Sequence, residues 1–433
     1  ICIVITLASS YAYYQSIELQ NPYDTKVGEF SSGDIIFAVT IDGESSSTIP
    51  AKDSGYIISD VTCDKGAIAK WDKSEWSIST ANLTQSKTTC NIAFINDSET
   101  LTYKIIQQGG GSSAIEEKGD PAFNVVPDSA TSGIYATLDE YGTSYYYRGL
   151  RDSLDNNLIF AGFQWKIVRI NGDGSVRIIY NGPCPNNSCT IISTGASTQA
   201  GSSLFNSSTH SSVYAGYMYG DAHNSKDAAQ RNANDSTIKA YIDNWYENNI
   251  ITKGISVTGK IADNLFCNDR QLGKDYPGAP QSGAGWNGAG TGTNDTFYAS
   301  YYRYQENINN PTPTLKCAQQ NDRFTVSDIA IGNGDLTYPV GLITVDEMAY
   351  GGNTQNYYNI NQYLSTSQRF WTMSPSRVGG NYVYAWYLST SGGTTAGLVE
   401  SGWSGGGVRP ILNLDSDVQV TGTGSTTDPF KVV

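Results

Sequence analysis

The chain has 433 residues, with 45 glycines and 30 tyrosines, and a formal charge of −14 that only 27 lysines and arginines offset. That length exceeds what one hydrophobic core usually serves and fits two or three domains. No Lys/Arg run supplies the clustered basic face that nucleic-acid phosphates require, so a nucleic-acid partner is excluded.

Abundant Tyr and Gly beside few charges describe a polar, largely uncharged surface with adaptable aromatic contacts, which suits a secreted or cell-surface protein. The acidic excess reads as solubility, because no carboxylates fall at EF-hand spacing. No metal and no cofactor is expected.

The N-terminus, I-C-I-V-I-T-L-A-S-S-Y-A-Y-Y, is apolar but too short to span a bilayer by itself. Its Y-A-Y-Y ending resembles leaders of camelysin-like secreted fibre proteins, which implies cleavage at Ala12. The competing expectation for residues 1–15 is an assembly or anchor segment that packs in the protein or against a neighbouring subunit.

Residues 16–107 alternate short apolar runs with turns, at 35–41, 55–61, 76–79, 90–95 and 101–106. Strands spaced this evenly predict a small Ig-like β-sandwich with Trp71 and Trp76 as packing residues. Residues 108–120, with Q-Q-G-G-G-S-S and an acidic pair at Glu116 and Glu117, have linker composition. A C-terminal domain is expected over 121–433.

In that domain 131–147 leads into a strand at 160–170, and N-G-D-G at Asn171 to Gly174 separates it from another at 176–180. Asn and Gly tolerate positive φ, so this is a hairpin turn. A calcium loop fails because the ligand ladder stops after Asp173.

Ile238, Tyr241, Ile242 and Trp245 recur at i, i+3, i+4 and i+7 behind Asn234, Asp235 and Ser236, any of which could cap the start of a helix. A second helix is expected over 261–266. Thr344 to Glu347 spell a capping box, ended by Gly351 and Gly352. Residues 273–296 form a Gly-rich loop.

Of the seven cysteines, Cys2 stands apart. The others are an even set typical of secreted chains; about fifteen pairings of six are formally possible, and sequence order, the only guide, suggests Cys63 with Cys90, Cys184 with Cys189 and Cys267 with Cys317. Zinc knuckles would need Cys-x-x-Cys or nearby His, which these spacings lack.

Chemistry is hard to place. The two histidines, His210 and His223, lie in loop-like sequence with no nucleophile elbow beside them. Asp243, Asp346 and Glu347 are candidates for the two carboxylates of a glycosidase, but their helix-cap and helix-surface contexts favour structural roles. Arg409, inside a terminal strand, reads as a packed stem with a paired head.

From 370 to 414 the chain reads F-W-T-M-S-P, A-W-Y-L, a Gly/Ser/Thr-rich segment and G-G-G-V-R-P-I-L-N-L. This run resembles the closing strands of C-type-lectin-like folds, as in the formylglycine-generating-enzyme superfamily and the variable proteins of diversity-generating retroelements. More widely, Y-Y-x-R-G (Tyr145 to Gly149), the strand pair from Phe160 to Tyr180, I-K-x-Y-I-D-N-W-Y (Ile238 to Tyr246), F-C-N-D-R (Phe266 to Arg270) and G-L-I-T-x-D-E (Gly341 to Glu347) resemble a group of secreted proteins from gut Gram-positive bacteria.

These resemblances imply a mainly β chain with α+β character, an Ig-like β-sandwich followed by a C-type-lectin-like α+β domain. They imply a non-catalytic ligand-binding or adhesion protein whose binding face includes Tyr382, Tyr384, Trp386 and Trp403. Tyrosine and tryptophan among Ser, Thr and Gly give contact area at low entropy cost, so the partner is an extracellular glycan or protein. Two alternatives stand beside this: a filament subunit that self-assembles through its N-terminal segment, and a glycan-active hydrolase.

Overall fold

The computed structural model describes residues 13–15, 35–51, 54–72, 76–81, 87–208, 210–221, 225–355, 358–399 and 406–433. The chain is mainly β and divides into two compact units, Ile1–Tyr103 and Lys104–Val433. Residues 1–12, on which the leader and assembly readings rest, lie outside the described residues, as do His223 and Trp403.

The first unit holds strands β1 (Tyr13–Gln15), β2 (Ile35–Ile41), β3 (Glu44–Ser46), β4 (Tyr56–Cys63), β5 (Ile68–Asp72), β6 (Ser77–Ala81) and β7 (Thr88–Asn96). They form two sheets, ordered β1-β6-β5 and β3-β2-β7-β4, with β2 and β7 parallel. Alternation along β7 turns Ile92 and Phe94 inward, where they meet Ile78 of the other sheet. Trp71 and Trp76 pack on this core as the sequence suggests: Trp71 meets Phe94 edge-on at 5.6 Å, and Trp76 donates to the Pro50 carbonyl at 2.8 Å. Cys63 and Cys90 are direct cross-strand partners and are disulfide-bonded.

One expected strand is a helix. Residues 101–106 lie in α1 (Leu101–Gln108), where Leu101 and Ile105, four apart, are both buried. A strand would place Tyr103 on the same side as those two, yet Tyr103 is exposed, as the helical period requires. The segment 108–120 is likewise folded, not bare linker: α2 (Ser112–Glu116) buries Ile115, and Gln108 donates to the carbonyls of Asp155 and Thr423.

The second unit contains β8 (Gly133–Leu138), β9 (Thr143–Arg148), β10 (Asn157–Phe160), β11 (Phe163–Ile170), β12 (Val176–Pro183) and β13 (Gly201–Ser203). Short ladders follow, with β14 (Met218–Tyr219) on β15 (Asn234–Asp235) and β16 (Phe266–Cys267) on β18 (Arg323–Phe324), while β17 (Thr296–Phe297) lies between the last two in sequence. The closing strands are β19 (Phe370–Gly379), β20 (Tyr382–Leu388), β21 (Thr394–Leu398), β22 (Gly406–Val408), β23 (Ile411–Leu414), β24 (Val420–Thr421) and β25 (Phe430–Val432).

An eight-stranded sheet runs β23-β12-β11-β10-β25-β24, with β9 on the far end of β11 and β8 on β9. A six-stranded sheet runs β13-β22-β19-β20-β21, with β17 on β19. The expected β11–β12 hairpin forms: the Gly174 N–H returns to the Asn171 carbonyl at 2.8 Å, and the positive φ of the turn, +89°, falls on Gly174. Asp173 serves the turn and its neighbours, accepting from Ser175 and Asn264.

Between α3 (Lys226–Ala229) and α5 (Ile255–Thr258) runs the expected long helix, α4 (Thr237–Asn249). Ser236 is the cap, its hydroxyl accepting the Lys239 N–H. The stripe packs as core: Trp245 lies 5.6–6.3 Å from the rings of Phe163, Tyr180 and Trp165, seating the helix on β11 and β12.

The helix expected at 261–266 is absent. Ile261 instead bridges to Leu414, and Phe266 pairs with Phe324. The backbone here is spent on long-range pairing, with the Ala262 N–H donating to the Asn413 carbonyl and the Asp415 N–H to the Lys260 carbonyl, while the Asp263 carboxylate takes the N–H groups of Val326, Ser327 and Asp328.

Two further elements matter for the site: α6 (Ala299–Tyr301), continued by a wide turn at Tyr302–Glu306, and α7 (Val345–Gly351). Disulfides join Cys184 to Cys189 and Cys267 to Cys317, completing the three expected pairs. Among the described residues no helix is long and apolar enough to cross a membrane.

Candidate functional site

The β19–β20 hairpin turns on Gly380 and Asn381, at φ +58° and +68°. Two consecutive positive φ values make the tight turn that follows strand twist, and Gly and Asn are the residues that adopt them. The turn sets the register, placing Val378 opposite Val383 and Arg377 opposite Tyr384.

Tyr382, Tyr384 and Trp386 share a face by alternation, but burial rises along it. Tyr382, beside the turn, is 44% exposed and lies 5.7 Å from the exposed His210 ring. Tyr384 is half-buried, with the Arg377 guanidinium 4.7 Å from its ring centroid. Trp386 is fully buried, donates to the Ser300 hydroxyl at 3.0 Å and packs with Tyr304, Val345 and Ala349.

Trp386 therefore leaves the set of expected binding residues. Elements α6 and α7 roof that end of the strand, so the ring is core. Trp403 lies outside the described residues.

Arg377 carries no signal in the sequence that would single it out. It is half-buried, flanked by Tyr384 on one side and by Tyr301 on the other at 5.6 Å, and its neighbour across the opposite strand is Phe297. Phe297 stacks on Tyr301 at 4.1 Å with planes 10° apart, and Trp286, Tyr302 and Tyr276 extend the rings through the 273–296 loop. Among the described residues no carboxylate pairs with Arg377. One Arg377 Nη donates to the Tyr301 hydroxyl at 3.5 Å, and a guanidinium against aromatic faces has further planar donors with which to meet an acceptor brought by a ligand.

The carboxylates considered for hydrolysis are used otherwise. Asp243 pairs with Lys239 at 2.6 Å on α4, and burial raises its carboxyl although Lys239 opposes the rise. Thr344 and Glu347 complete the expected capping box of α7. Glu347 also binds Arg177 at 2.6 Å and Arg169 at 3.1 Å, and Arg169 reaches Asp139 at 2.6 Å. Burial pushes Glu347 up, but Arg177, Arg169 and the Thr344 N–H outweigh it and hold the carboxyl at about 2.

Beside it, Asp346 accepts from Arg303, Tyr304 and the Thr314 N–H, and Arg303 also binds Asp269. Asp269 is pushed up to about 6 by burial, against the pull of Arg303. Asp269, Asp346 and Glu347 line one cavity of about 20 Å³. That is room for a water, which needs about 10–15 Å³, and far below the few hundred that a sugar-sized ligand occupies.

Arg409 is buried and donates to the carbonyls of Tyr180 and Leu364 and to Asn181, a packing role. Among the described residues no group of three or more His, Cys, Asp or Glu is placed to hold a metal ion. Comparison with family models, curated proteins and solved structures finds no match.

Proposed function

We propose that this is a secreted or cell-surface bacterial protein in which an Ig-like sandwich carries a C-type-lectin-like domain that binds an extracellular glycan or protein without chemistry. The observation that carries this reading is the half-buried Arg377, unpaired with any described carboxylate and set between the rings of Tyr384 and Tyr301. Sugars stack on such rings and acidic groups pair with the guanidinium, while a protein partner would use the same residues as anchors. Three disulfides fit an oxidising compartment.

The test is to probe glycan and protein arrays with the purified chain and with Arg377→Ala and Tyr384→Ala. Array hits that both substitutions abolish support the reading. Hits that neither substitution weakens place the binding elsewhere.

A further inference from the structure

The least explained buried charge in the molecule is Lys166. It lies on β11 with 1% exposure, and among the described residues it forms no ion pair. Its ammonium has one hydrogen-bond partner, the Asn157 side-chain oxygen at 2.5 Å. A lysine this buried ordinarily meets a carboxylate, because an unpaired buried charge is strongly unfavourable. Here the neighbouring charges include Arg151 and Arg409, of the same sign, and the carboxylate that acts on it, Asp152, is exposed.

Asn157 is fully buried on β10 and is the direct antiparallel partner of Lys166. Its amide nitrogen donates to the Gly424 carbonyl at 2.8 Å, which fixes which end of the amide faces the lysine. The carbonyl carbon lies one bond, about 1.2 Å, beyond the oxygen that Lys166 already touches. Burial, reinforced by Arg151 and Arg409 and opposed by Asp152, lowers the Lys166 ammonium to about 7, so a large fraction is the neutral, nucleophilic amine near neutral pH.

We propose that Lys166 and Asn157 join in an intramolecular isopeptide bond. The Lys166 Nζ–Asn157 Cγ bond forms, the Cγ–Nδ2 bond breaks, one Nζ proton passes to Nδ2, and ammonia leaves. No oxidant, reductant or further reactant enters. Two paired strands hold amine and amide in contact, which replaces a bimolecular encounter with an intramolecular one. The Gly424 carbonyl orients the departing nitrogen.

The cross-link does little for chain entropy, because the residues are only nine apart. Its stabilisation comes from turning a buried cation among arginines into a neutral amide. It would tie β10, which carries the C-terminal strand β25 on its other edge, covalently to β11.

The experiment is the intact mass of the reduced, full-length chain followed by peptide mapping. The expected result is a mass lower than the sequence mass by one ammonia, with a branched peptide linking Asn157 to Lys166. In Lys166→Arg, which keeps the charge but removes the nucleophile, the ammonia returns. An unmodified wild-type mass overturns the proposal. So does an ammonia loss with no branched peptide, or one that persists in Lys166→Arg. Should that variant fail to fold, the wild-type peptide map decides.

Discussion

Arg377 and Tyr384 are opposite one another across the β19–β20 hairpin, and the guanidinium lies 4.7 Å from the ring centroid. Tyr301 meets the same guanidinium at 5.6 Å. The hairpin register and α6 thus build one aromatic setting around one cation.

That setting separates binding from stability. Tyr384→Ala and Arg377→Ala are expected to lose ligand capture on arrays while changing stability by only about 0.5–2 kcal/mol, the scale of a cation–π contact. Trp386→Ala, two residues along, is expected to cost about 3–5 kcal/mol because its ring is core. Parallel thermal melts and array binding distinguish the two behaviours.

Glu347 is the hub of the network at the start of α7. Glu347→Gln leaves Arg177 and Arg169 buried with their shared partner neutralised, so a loss of about 3–5 kcal/mol is expected in denaturant titration. The wild-type carboxyl sits at about 2, below its ordinary 4.5. Its stabilisation is complete above 4.5 and is lost as pH falls through 2. Acid unfolding should begin at higher pH in the variant.

Asp269 has the opposite sign. Its carboxyl lies at about 6, above the ordinary 3.8, because burial outweighs Arg303. The penalty is absent below 3.8, grows as pH rises towards 6 and is constant above it. Asp269→Asn removes that penalty and suits the φ of +51° at this position. The stability that wild type loses as pH rises from 3.8 to 6 is therefore expected to be absent from the pH profile of the variant in a series of melts, while its overall level also reports the lost Arg303 pair.

The disulfides should differ in worth. Cys267–Cys317 spans 50 residues and Cys184–Cys189 only five. Loop-closure entropy gives about 4 kcal/mol for the first and about 2 kcal/mol for the second. Paired Cys→Ser variants measured by denaturant titration should keep that order.

Features written in neighbouring residues are legible in the sequence itself. The Thr344/Glu347 capping box, the helix capped from among Asn234, Asp235 and Ser236, the N-G-D-G hairpin and the three disulfide pairs depend on short-range chemistry or on sequence order, and all are present. Departures fall where a local pattern is ambiguous. L-T-Y-K-I-I serves a helix through Leu101 and Ile105 as readily as a strand, and pairing of 260–262 with 413–415 holds that stretch extended.

Some of the site can be counted out from turns. Gly380–Asn381 fixes Arg377 against Tyr384, and the turn at Ala161 and Gly162, both at positive φ, fixes Asn157 against Lys166. What counting cannot supply is what covers each pair. The sequence by itself determined the capping box of α7, the Asn171–Gly174 turn and the face shared by Tyr382, Tyr384 and Trp386, and its order suggested the covalent staples. Only the tertiary structure decided that α6 and α7 bury Trp386 while Arg377 keeps partial exposure, and that Lys166 is sealed beside Arg151 and Arg409 without a buried carboxylate. Burial and charge pairing depend on residues brought together from more than 200 positions away, as Arg409 and Tyr180 are, and no local pattern encodes them.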